Sequence, residues 1–254
     1  MREVFVVYEP EAMTAEFLAD KTAAVLDVLR ATSSMLTALA AGASRIVPVA
    51  EVDEARALKA RMPAGSVVLG GERGGLQIDG FDVGNTPQEF TADLVRGKTV
   101  VMTTTNGTRA LLMALPAREV CIAALVNVAA TARHLAERTR GDVVLVTSGT
   151  ERRVSYEDAF CAGAIVERLA SAAPQETWHL TDSALMALDL WRAAKGDVQA
   201  ALRRGRGGRN VARLGLGAAF DSCGALDSID LAARVNRRPA EPAGTGLEII
   251  AVRA

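Results

Sequence analysis

Five acids stand at the ends of apolar runs or inside polar loops: Asp27, Glu72, Asp82, Glu157 and Asp158. Arg30 and Arg73 follow closely behind two of them. Hydroxyls and amides crowd the same stretches: Thr32, Ser33 and Ser34, then Asn85 and Thr86, then Thr103, Thr104, Thr105, Asn106 and Thr108. Carboxylates, hydroxyls and Asn are hard oxygen ligands and hydrogen-bonders, and arginines clamp anions. That set suits a magnesium-assisted reaction on a phosphorylated acid. The cation would neutralise phosphate charge, while arginines and helix amides stabilise the transition state. Other chemistries lack their residues. His134 and His179 carry no Arg-His-Gly context, which argues against a phosphohistidine route. No Cys is followed six residues on by Arg, and Asp27 has Leu29 rather than a second Asp two residues on. A Walker A loop and a Gly-x-Ser-x-Gly elbow are also missing.

The elements that must position these groups follow from pattern. Val100-Val101-Met102 reads as a buried strand, Thr103 to Thr108 as the polar turn that ends it, and Ala110 to Leu115 as a helix. Ligands bind at such strand C-termini in open α/β sheets, and the first amides of the helix favour an anion. Gly107 lets the backbone approach closely. The plain alternative is a Thr-rich helix cap. The stretch Val25 to Ser34 has the same form, with Asp27 and Arg30 in its turn. The sequence also matches itself: Gly65-Ser66-Val67-Val68-Leu69 lies over Gly141-Asp142-Val143-Val144-Leu145, and Ala38-Leu39 over Ala114-Leu115 at the same offset. Two β-α-β-α-β units, roughly 23–98 and 99–174, follow from this register. They predict an α/β fold with a mostly parallel sheet flanked by helices in three layers, and a single domain over 1–254. Whether the two units share one sheet stays open. Their two polar turns would flank a cleft suited to a substrate with more than one anionic group.

Taken in order, Met1 to Tyr8 is a first strand, Val52 to Arg61 a helix ended by Pro63, and Gly70 to Gly75 with Gly80 to Pro87 a glycine-rich loop. That loop is either a solvent loop or a ligand loop; Glu72 and Arg73 favour the second. Ser155 with Asp158 three residues on looks like a helix N-cap. Glu157 and Asp158 then serve either the helix dipole or a hard cation. Ser183 to Ala194 and Asp197 to Arg204 are helices, and Arg203 to Arg209 reads as a flexible basic connector. Gly246 to Val252 is a terminal strand expected at a sheet edge. His134 is expected at the surface, and His179 in a short connecting segment.

A net charge of −1 over 254 residues argues against a nucleic-acid surface. Apolar runs are too short to span a bilayer, and three scattered cysteines, Cys121, Cys161 and Cys223, read as buried thiols in a reducing cytosol. A cytoplasmic protein with a small anionic phosphoester as partner is expected; a homo-oligomer is compatible with the sequence.

At these residues the chain resembles the 2-phosphosulfolactate phosphatases of coenzyme M biosynthesis, the ComB family. The resemblance rests on Asp27 to Ser33, Gly71 to Gly75, Gly80 to Pro87, Thr103 to Thr108, and Glu157-Asp158-Ala159 with Cys161 to Ala164. Ser34, Thr86 and Tyr156 depart from the commoner residues without removing a charge. The likeness implies a magnesium-dependent hydrolase that converts 2-phospho-3-sulfolactate to 3-sulfolactate and phosphate. Asp27, Glu72 and Asp158 are then the catalytic candidates, and Asp27, Glu157 and Asp158 the Mg2+ ligands. Arg30, Thr32, Ser33, Arg73, Asn85, Thr105, Asn106, Gly107 and Thr108 are the substrate-binding candidates. A phospho-Asp27 intermediate is a variant of this scheme. The rival readings are a family member acting on another phosphorylated hydroxy acid and a non-catalytic anion-binding protein.

Overall fold

Short apolar runs without helical spacing become strands, and Ala/Leu-rich runs ended by glycine become helices. The computed structural model describes residues 1–172, 178–194, 196–237 and 246–252. Its strands are β1 (Arg2–Val7), β2 (Thr22–Leu26), β3 (Arg45–Pro48), β4 (Val67–Arg73), β5 (Leu76–Gln77), β6 (Thr99–Thr103), β7 (Glu119–Ala123), β8 (Val143–Thr147), β9 (Trp178–Leu180), β10 (Ala232–Arg237) and β11 (Leu247–Val252). They form one 11-stranded sheet in the order β5-β4-β6-β3-β11-β10-β7-β2-β8-β1-β9. The helices are α1 (Ala15–Leu18), α2 (Ala31–Ala40), α3 (Val52–Arg61), α4 (Ala92–Val95), α5 (Gly107–Met113), α6 (Val128–Glu137), α7 (Tyr156–Ala172), α8 (Asp182–Ala193), α9 (Val198–Arg204), α10 (Arg206–Arg213) and α11 (Ala219–Cys223).

The fold is α/β, with a mixed, mostly parallel sheet flanked by helices. Every residue of β2, β6 and β8 is buried, as expected for parallel strands covered on both faces. One core joins Leu26, Cys121, Leu145 and Phe160 under α6 and α7; another joins Val25, Met35, Met102 and Leu111 around α2 and α5. Among the described residues no helix is long and apolar enough to cross a membrane.

The segments 23–98 and 99–174 share one sheet. β2 lies between β7 and β8, while β6 lies between β3 and β4, so each segment's first strand sits between strands of the other. β10 and β11 form an antiparallel hairpin between the two halves. The terminal strand β11 is therefore central, not at an edge: its apolar Ile249, fully buried beside Ile46, needs cover on both sides. Three successive antiparallel steps make the two halves run in opposite directions. Sheets twist by roughly 20–25° per strand, so the several steps from β6 to β2 turn the two C-terminal ends toward one another.

Three further expectations are corrected. Arg203 to Arg209 is not a loose connector: it is the end of α9 and the start of α10. Its glycines permit close packing; a Cβ on Gly207 would lie 1.8 Å from Glu157 Oε1. His134 is buried rather than exposed, because α6 lays it over β7, where its Nε2 meets Glu119 Oε1 at 2.7 Å. His179 lies within β9, paired with Glu3 of β1. The three cysteines are free and buried, as expected.

Candidate active site

The turns after β2 and β6 meet. A Cβ on Gly107 would stand 2.7 Å from Asp27 Oδ2 and 2.6 Å from Ala31 Cβ, so only glycine allows this approach. Beside them opens a cavity of about 240 Å³. Asp27, Arg30, Glu72, Asn85, Thr105 and Asn106, all singled out from sequence, line it.

Asp27 follows β2, and its carboxylate accepts the Ala31 amide at 3.2 Å. Burial, with the charge of Glu72, pushes its pKa up to about 6. Arg30 is 5% exposed. Its guanidinium donates to Gly75 O at 2.6 Å and Thr86 Oγ1 at 2.7 Å, and no carboxylate of the described residues pairs with it. A buried cation whose hydrogen bonds go only to neutral groups, with the Asp27 charge near but not paired to it, is a place for an anion. Asn85, held by Ser34 Oγ donating to its carbonyl at 3.0 Å, keeps a buried Oδ1 with no hydrogen-bond partner. Glu72 is locked: Oε1 accepts Thr105 N at 2.7 Å, and Oε2 accepts Gly75 N at 2.7 Å and the Thr105 hydroxyl at 3.1 Å. It fixes two walls of the cavity to each other.

The remaining candidates stand behind or beside this cavity. Asp158 Oδ1 accepts Val28 N at 2.9 Å; its Oδ2 accepts the Ser148 amide and hydroxyl at 3.2 and 3.1 Å. It ties the ends of β2 and β8 together. Burial and the charges of Asp27 and Glu157 push its pKa well up. Glu157, also buried with its pKa raised by burial, leaves Oε2 without a hydrogen-bond partner. Among the described residues the one trio with ligand atoms mutually within 4.8 Å is Glu119, Cys121 and His134; Asp27, Glu157 and Asp158 do not converge that far. Thr32 holds the Asp27 backbone at both ends, and Ser33 Oγ donates to Val28 O at 2.8 Å. Thr108 and Thr104 bond each other reciprocally. Arg73 turns away, donating to Ala50 O and Thr103 Oγ1, and lines a separate cavity of about 510 Å³ with Thr105 and Arg109. Asp82 lies apart, paired with Lys59 at 2.6 Å.

Four polar lining residues escaped sequence reading: Thr150, Glu151, Asn210 and Arg213. Asn210 and Arg213 come from α10, and the signal was present. Arg206, Asn210 and Arg213 recur at helical spacing, starting inside the basic run 203–209 and continuing past its end. Arg206 also pairs with Glu151 at 2.7 Å, joining α10 to the loop after β8.

The profile of the family described as 2-phosphosulpholactate phosphatase matches residues 7–237. A probable 2-phosphosulfolactate phosphatase of Symbiobacterium thermophilum is 42% identical over 202 residues, covering 80% of this chain and 85% of that protein. A protein of the same description from Gloeobacter violaceus is 40% identical, covering 89% and 92%. Another, from Caldanaerobacter subterraneus subsp. tengcongensis, is 37% identical, covering 84% and 87%. The matched span contains both turns, every residue of the cavity and the acids behind it, and the chain belongs to the 2-phosphosulfolactate phosphatase family, enzymes that hydrolyse a phosphoric monoester.

Proposed function

We propose that the cavity beside Asp27 removes phosphate from 2-phospho-3-sulfolactate, giving 3-sulfolactate. The observation that carries this reading is Arg30, a buried cation without a carboxylate partner among the described residues, in the same cavity wall as a carboxylate whose pKa stands at about 6. The first binds an anion; the second exchanges a proton near neutral pH. A volume of about 240 Å³ suits a small acid better than a nucleotide.

The donor set fits a hard cation. Asp27 and Glu157 are carboxylates pushed toward protonation by burial, and the unpartnered Oε2 of Glu157 is an orphaned acceptor. Glu157 would hold Mg2+ through its free Oε2, next to Asp27, whose carboxyl is kept for proton exchange, with Asp158 behind them. Bound there, the ion would offset the charge of the acids and of the phosphoryl group. Both oxygens of Asp158 are engaged by Val28 and Ser148, so it acts as a positioning residue for the Asp27 turn.

The chain's own residues supply the rest. Arg30 draws the phosphoryl oxygens to the wall, and Asn85 and Asn106 offer side-chain amides to the other anionic groups. Asp27 takes a proton from the attacking water as the water oxygen bonds to phosphorus. The bond from phosphorus to the ester oxygen breaks, its electron pair leaves with that oxygen, which takes a proton from solvent, and Asp27 releases its own proton to solvent. Glu72 keeps Thr105 and Gly75 in register throughout. Membership of the coenzyme M route rests on the family likeness alone.

Phosphate release from a panel of phosphorylated hydroxy acids, with magnesium and with EDTA, tests this. The expected result is magnesium-dependent release fastest for 2-phosphosulfolactate. Faster release from another ester would replace the substrate and keep the mechanism. No release by folded protein would leave an anion-binding protein.

A further inference from the structure

Glu119 and Cys121 are separated by one residue on β7, so their side chains leave the same face of the sheet. α6 covers that face and brings His134 onto them. His134 Nε2 is 2.7 Å from Glu119 Oε1, and Cys121 Sγ is 3.7 Å from the same oxygen. Three different ligand types thus stand with one atom each mutually within 4.8 Å, a grouping no other trio of the described residues forms. Thr22, the register partner of Glu119 on β2, has a buried hydroxyl with no hydrogen-bond partner. So does Thr131, one turn before His134 on α6. Buried hydroxyls left unmatched in this way are uncommon. A cleft of about 70 Å³ adjoins the trio through His134, with Arg133, Glu137, Arg138 and Asp230 around it. Arg234, the register partner of Cys121 on β10, faces it from the other side.

We propose that Glu119, Cys121 and His134 form a second metal site, for zinc or a similar borderline ion, remote from the phosphatase cavity. Glu119 stands level with Thr22, the first residue of β2, whereas Asp27 follows the last. One thiolate, one imidazole and one carboxylate suit zinc, with the fourth position left for water. They do not suit magnesium, which takes oxygen ligands. On binding, the Cys121 thiol proton leaves to solvent, a sulfur electron pair goes to the ion, and the hydrogen bond between His134 and Glu119 is replaced by two bonds to metal. The site would clamp α6 to β7.

Cobalt(II) serves as the probe, added to the full-length protein in excess magnesium so that hard-oxygen sites are filled. One equivalent should give thiolate-to-cobalt charge-transfer absorption that zinc then abolishes. Cys121→Ser should remove the band, His134→Gln should weaken cobalt binding at least about tenfold, and Cys161→Ser and Cys223→Ser should leave it intact. No band in the parent protein, or a band that persists in Cys121→Ser, overturns the site. Glu119→Gln, at a partly exposed position, covers the case in which Cys121→Ser fails to fold; unchanged cobalt affinity in that variant also overturns it.

Discussion

The turn after β2 and the turn after β6 have the same local form and different content. The first carries Asp27 and Arg30, both buried, and leads into α2, whose residues Ala31 to Leu36 are all buried. The second carries threonines and Asn106, with no charge before Arg109, and leads into the shorter α5. Two of its hydroxyls, those of Thr104 and Thr108, bond reciprocally within the turn. Glu72 bonds to that second turn through Thr105, and Asp158 bonds to the first through Val28. One turn therefore bears the charge, while the other is a neutral wall that approaches it through Gly107. The pairing teaches that two similar strand ends make one site when charge is kept on one of them and backbone closeness is supplied by the other.

The largest effect should come from the charged turn itself. Asp27→Asn should lower kcat by roughly 10³-fold with an unchanged circular dichroism spectrum, the range expected for loss of a proton-transfer group. Next is pH. In the fold the Asp27 carboxyl holds its proton up to about pH 6, against an ordinary value of 3.8. The folded state binds more protons between those values, so stability is present below pH 4 and lost as pH rises through 6, by about 3 kcal/mol. Urea titrations of metal-free protein should show that fall, with Glu157 and Asp158 adding to it in the same direction, and Asp27→Asn should reduce it. The neutral turn is tested by Gly107→Ala, which must displace Asp27 or Ala31 by a large fraction of an ångström. Turnover should drop about 10²-fold. Smallest is Arg30→Gln: KM should rise roughly 30-fold, the loss of one charge-assisted contact of about 2 kcal/mol, while kcat changes less.

Both turns were legible in the sequence because their signals are local. An apolar run, a polar break and a glycine mark a strand end wherever it lies, and four of the cavity's residues, Asp27, Arg30, Thr105 and Asn106, lie in these two turns. What was not legible depends on distant partners. The run from Arg203 to Arg209 looks like a linker because its glycines break helical propensity. They are there because Glu157 and Leu202 occupy the space a side chain would need. Leu247 to Val252 carries the apolar content of a strand, but its place at the centre is set by pairing with Arg45–Pro48, far away in the chain, as well as with the nearby Ala232–Arg237. Arg73 sits next to Glu72 in sequence, and strand alternation sends the two to different cavities.

The most direct test of the central claim, that the phosphate-handling site lies where the two turns meet, is a crystal structure with vanadate and magnesium. The account predicts the oxyanion within hydrogen-bonding distance of the Arg30 guanidinium, beside Asp27 and against the Asn106–Gly107 backbone. Vanadate seated instead between Arg73 and Arg109, on the far side of Thr105, would contradict it.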